Sequence, residues 1–145
     1  MNIYHSYFSF WTNFENKSDY CWIAITKTVP QHYVGNIYRK LAPTNELFLD
    51  TCSHYDRNVF FRKYADYLKT LDKNEILNDL RSFSKNGKDI VLINWEDMSK
   101  ESDGRFAYAW LFNISMAKAD SFDLENILKI KKINDEIIGN NFLTL

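Results

Sequence analysis

Glycine and proline are scarce, at four and two in 145 residues. That excludes long flexible linkers and argues for one compact unit. The two cysteines, Cys21 in an apolar run and Cys52 in a polar one, make no disulfide framework, so a reducing cytoplasm is the expected compartment. The net charge is only −1, which leaves no electrostatic footprint for non-specific nucleic-acid binding. No run approaches the roughly 20 apolar residues of a membrane helix. The start, MNIYHSYFSF, lacks the basic region and small-residue cleavage site of a signal peptide. His5, His32 and His54 show neither HExxH nor CxxC spacing, so no metal is expected. With no GxGxxG and no P-loop, no NAD or ATP cofactor is expected either.

What is present is an ordinary globular composition, 46% hydrophobic and 26% charged, at a length that suits one domain with one core. A C-terminal extension over residues 120–145 packs on it or stands partly apart. Aromatics reach 17% and crowd near the start, at Tyr4, Tyr7, Phe8, Phe10, Trp11 and Phe14. They serve either as core and rim or as a stacking wall for a flat ligand.

Residues 2–8, 20–26 and 88–95 read as strands. The second is apolar on both faces, as in a covered parallel sheet. Residues 10–18 are a short connection with at most a helical turn, and 30–44 a long irregular loop. A helix is expected over 44–51. Another, capped by Asp56, would bury Phe60, Phe61, Tyr64, Leu68 and Leu71. A third starts at Asp72 with Glu75 three residues on, a capping box, and is stopped by Gly87. Residues 104–118 read as one buried helix that includes Ala107, Trp110, Leu111 and Ile114. The tail fits helix or strand. The long helical connection between the second and third strands makes them parallel. The expected fold is therefore α/β, a small three-layer domain with a mostly parallel central sheet flanked by helices.

Parallel strands bring their carboxyl ends to one edge, where ligands bind in open α/β sheets. Ser6, Tyr7 and Phe8, then Lys27 with Tyr38 nearby, then Asn94 and Glu96 converge there, joined by the loop Ser102, Asp103, Gly104 and Arg105. Lys27 and Arg105 would clamp an anion, or else pair with Glu96 and Asp103. Glu96 with Asp97 or Asp103 is a candidate acid–base pair. Cys52, His54 and Asp56 alternate within one polar loop, a poor geometry for a nucleophile and its base.

The segments IYHSYF at 3–8, IAITKTVP at 23–30, YRKLAPTNEL at 38–47 and KDIVLINWE at 88–96 resemble domain-of-unknown-function family 488, in order and spacing, across residues 1 to about 112. The resemblance implies a compact α/β fold with a site at the strand ends and little about activity. It also implies departures. Asn94 stands at the family's first cysteine. Either Ser102-Asp103-Gly104 or Asp103-Gly104-Arg105 stands at its Cys-His-Arg motif. Lys27 stands at a basic position, often arginine in the family. A chain without these thiols is expected to bind rather than to catalyse.

The leading expectation is a small-molecule-binding domain for an anionic nucleotide or nucleobase-containing ligand, such as a phage-type protein that sequesters a nucleotide in the host cytoplasm. Two alternatives stand beside it. One is an enzyme on nucleosides, nucleotides or nucleic acid with Glu96 as acid or base. The other is a protein-binding inhibitor, marked by exposure of Trp11, Phe14 and Trp22. A homo-oligomer or a protein partner is compatible with each.

Overall fold

A computed structural model describes residues 1–43, 57–95 and 103–143, with the side chains of 57, 103 and 140–143 outside the description. The expected helix over 44–51 and the cap at Asp56 lie outside the described residues. The core of the fold is a four-stranded sheet built from β1 (Ile3–Tyr7), β2 (Cys21–Ala24), β3 (Asn36–Ile37) and β4 (Ile90–Asn94). The strand order is β1-β4-β2-β3, and every pairing is parallel. β4 is central and fully buried along its length, as its run of branched aliphatics requires of a strand covered on both faces.

Alternation along the strands sorts the core into two halves. Ile90 and Leu92 of β4, with Ile3 and Ile23, point to one face. There they meet α2 (Arg57–Lys69), α3 (Lys73–Phe83) and α4 (Asp103–Phe112). Val91 and Ile93, with Trp22 and Ala24, point to the other. That face is closed by α1 (Phe8–Asn13) and the start of the C-terminal helix, α6 (Leu124–Leu143). This is the expected three-layer α/β arrangement.

Local chemistry sets the helix ends. In α2, Phe60, Tyr64 and Leu68 are buried and Phe61 is partly so, as is Leu71 just past the helix end. The Asp72 carboxylate accepts the backbone N–H groups of Asn74 and Glu75, at 2.9 and 3.3 Å. It thereby caps the orphan donors of α3. That helix ends at Phe83, before Gly87. Gly87 instead makes a turn at φ +68°, where its missing Cβ is the advantage.

The single helix expected over 104–118 is two. α4 stops at Phe112, and α5 (Met116–Ala119) follows. Asn113 takes a left-handed conformation, φ 52°. Ile114 N–H reaches Ala109 O at 3.0 Å and Asn113 N–H reaches Trp110 O at 3.2 Å, the two bonds of a Schellman stop. Ser115 then caps α5 by accepting from Lys118 N–H. Ala107 and Leu111 are buried as expected, with Tyr108 between them. Trp110 and Ile114 are only half-buried, packed at the margin of the core.

The loop over 30–44 is less irregular than its composition suggests. It holds β3 and a 3-10 turn, Arg39–Leu41. The tail is helical. Among the described residues no helix is long and apolar enough to cross a membrane.

Candidate functional site

β1 and β4 are neighbours in register, with Tyr7 opposite Asn94. Beyond β1 the chain enters α1 on one face of the sheet. Beyond β4 it enters α4 on the other. Adjacent strands whose connections leave to opposite faces define the topological switch point, the place where open α/β sheets form a crevice. In this sheet that place lies between the carboxyl ends of β1 and β4.

The structure brings several expected residues there. Ser6 is fully buried, and its hydroxyl has no hydrogen-bond partner. Tyr7 is half-buried, and its hydroxyl donates to Glu125 Oε2 at 2.7 Å. Phe8 is buried. Asn94 is buried at the end of β4. Ile25 N–H bonds Ile93 O at 3.0 Å and carries the pairing past β2. Thr26 and Lys27 thereby reach the same edge. Thr26 is buried and donates to Thr28 O at 2.6 Å. Lys27 is half-buried.

Trp95 stands at the same edge and was not singled out from the sequence. It follows β4 directly and is 50% exposed. Its ring lies 4.7 Å from that of Phe8, and its indole N–H donates to Thr28 O at 3.0 Å. The indole is thus fixed at its nitrogen and backed by a buried phenyl ring, with the remaining surface open. The signal in sequence was its place two residues past the apolar run.

Other expected residues are committed elsewhere. Tyr38 follows β3, which β2 separates from β4. It is buried, and its hydroxyl donates to Asp79 Oδ2 at 2.6 Å. Burial and the Asp79 carboxylate push its pKa up. Arg105 lies in the first turn of α4, but its guanidinium turns to the chain after α4. Nε and Nη2 donate to Met116 O at 3.1 and 2.8 Å, and Nη2 meets Asp120 Oδ2 at 2.8 Å. It forms an ion pair with Asp120. Gly104 is buried beside it. Glu96, Asp97 and Ser102, the side chain of Asp103, and Cys52, His54 and Asp56 lie outside the described residues.

Of the early aromatics Phe8 and Trp11 are buried, and Tyr4, Phe10 and Phe14 pack partly buried against the same half of the core. Trp22 is buried as well, and Trp11 packs on Tyr33 at 5.2 Å between centroids. Of the three residues whose exposure would mark an inhibitor, Trp11 and Trp22 are buried and Phe14 is half-buried. Cys21 begins β2 half-buried rather than in the sheet interior. Burial raises its thiol pKa, so it stays protonated and inert.

A polar cluster beside β1 was not anticipated. His5 is fully buried. Its Nε2–H donates to Ala119 O at 2.6 Å, and its ring meets Tyr108 at 4.8 Å. Burial lowers its pKa, so the ring is neutral. With the Arg105 clamp it fastens the chain around Ala119 to the edge strand, which is a structural role.

A cleft of about 560 Å³ opens at the amino end of β1, lined in part by Ile3, Tyr108, Phe112 and Phe122, with Arg81 and Lys118. Several of its polar atoms are already used. Tyr108 donates to Ile3 O, Asn2 Nδ2 to Tyr4 Oη and Ser121 Oγ to Lys118 O. Among the described residues no group of three or more His, Cys, Asp or Glu side chains could hold a metal ion.

No family model matches this chain, and neither a curated protein nor a solved structure is detectably similar to it. The chemistry of its own residues therefore carries the functional reading.

Proposed function

We propose that this chain is a small-molecule-binding α/β domain whose ligand carries a flat ring and an anionic group. A nucleotide or a nucleobase-containing fragment is the class that fits best. The carrying observation is Trp95, half-exposed at the switch point and held by Phe8 and Thr28 O. A fixed, open indole is a stacking platform, and base–aromatic stacking contributes about 1–3 kcal/mol. Lys27 supplies the cation for the anionic group. Arg105 is engaged with Asp120, so the reading does not use it. Ser6 offers a buried hydroxyl with its hydrogen-bonding capacity unspent.

Native mass spectrometry of the purified protein should find a co-purified nucleotide-sized anion. Adenosine monophosphate should quench tryptophan emission in the wild type. The Trp95→Leu variant should keep its fold and lose that response. Failure of nucleotides to bind at about 1 mM, or equal affinity in Trp95→Leu, would overturn the reading.

A further inference from the structure

The carboxyl half of α6 presents a surface that the domain does not cover. Leu124 is buried and Leu128 partly so, both in the α1 half of the core. At 3.6 residues per turn, Ile130, Ile133 and Ile137 fall within an arc of about 60° on the opposite side. They are 59%, 55% and 52% exposed, and Ile138 beside them is 55% exposed. Four half-bare isoleucines in three turns of helix are an unusual amount of apolar surface for a monomer.

The charges around this stripe say what covers it. Lys129, Lys131 and Lys132 precede the middle of the stripe, and Asp135 and Glu136 follow it. The order is positive then negative, so it is complementary to its own reverse. We propose that α6 pairs antiparallel with the α6 of a second copy of this chain, about a two-fold axis near Ile133. Ile130, Ile133 and Ile137 interleave along the seam with spacings of three and four, as in a coiled coil. An isologous contact of this kind closes as a dimer.

The flanks then fix the orientation. Lys129 and Glu136 each stand one residue before a seam isoleucine, on the same side of the helix. In an antiparallel pair these positions face each other, so Lys129 of each copy meets Glu136 of the other, twice per dimer. In a parallel pair Lys129 would face Asn134 instead, with no ion pair. Lys129 already contacts Glu125 one turn back, at 2.9 Å, with its side chain 66% exposed. It therefore stands beside the seam and is shared between the two carboxylates. The alternating signs also argue against a membrane surface, which favours a uniformly Lys/Arg-rich polar face.

Sedimentation equilibrium of the full chain at about 100 µM should show a dimer. Ile133→Glu and Ile137→Glu should each give a monomer with unchanged circular dichroism, since both side chains are exposed in the free protein. Lys129→Glu and Glu136→Lys should each weaken the dimer on the order of tenfold. An equimolar mixture of those two variants should regain it, because each then meets the opposite charge in the other. A monomeric wild type, a dimer indifferent to Ile133→Glu, or a mixture no tighter than its components would overturn the proposal.

Discussion

The two ends of the same sheet spend their polar groups differently. At the amino end they close on one another. Asn2 N–H donates to Asp89 Oδ1 at 2.8 Å, and Asn2 O accepts from Ile90 N–H at 2.9 Å. Tyr108 seals Ile3 O. At the carboxyl end Ser6 keeps a buried hydroxyl without a partner, Thr26 satisfies only its own loop, and an indole stands half in solvent. A buried, unpaired polar group costs about 1–3 kcal/mol. A fold tolerates such a cost where a ligand repays it, so violations of local rules gather at functional sites. On the function proposed above, the amino end is framework and the carboxyl end is the site.

The contrast breaks first if the amino end turns out not to be framework. Tyr108→Ala should lower stability by about 3–5 kcal/mol through lost burial and a cavity, read by urea denaturation. A loss below about 1 kcal/mol would place Tyr108 outside the cooperative core.

The buried ring beside it gives the next effect. The pKa of His5 is lowered in the fold by burial, so the unfolded chain takes the proton first. Its contribution is intact above the unfolded value near 6.5. It falls as pH drops through that value toward the folded one, by up to about 1.4 kcal/mol per pH unit. His5→Gln should flatten this slope between pH 7 and 5. Equal slopes would mean that His5 holds its proton equally well folded and unfolded.

Ser6→Ala sharpens the comparison from the other end. Removing an unpaired buried hydroxyl should raise stability by about 1 kcal/mol while weakening the ligand. A loss of similar size would mean that the hydroxyl is already paired, and the two ends would no longer differ.

The parts of this fold legible in sequence are those with local signals. β4 declared itself by an unbroken aliphatic run, α2 by helical spacing, and α3 by Asp72 with Glu75. β3 is two residues long and carries no alternation, so nothing local marks it. The break after α4 was written in Asn113 and Ser115, a C-terminal stop and an N-cap, but the apolar residues on either side masked it. Arg105 shows the deeper limit. Its place at the start of a helix was readable. Its partners, Met116 O and Asp120, are delivered by the chain reversal after that break. The site was legible as an edge, because strand direction alone brings Ser6, Lys27 and Asn94 together. Which side chains stay available at that edge depends on tertiary partners.

Amide and indole resonances read both ends at once. In a ¹⁵N–¹H spectrum titrated with adenosine monophosphate, the Trp95 indole and the amides of Ser6, Tyr7, Phe8, Lys27 and Asn94 should shift together and saturate with one affinity. Those of Asn2, Tyr108 and Lys118 should stay in place. Saturable shifts at Asn2, Tyr108 and Lys118, with Trp95 unmoved, would put the ligand in the cleft at the amino end and contradict the assignment of the site.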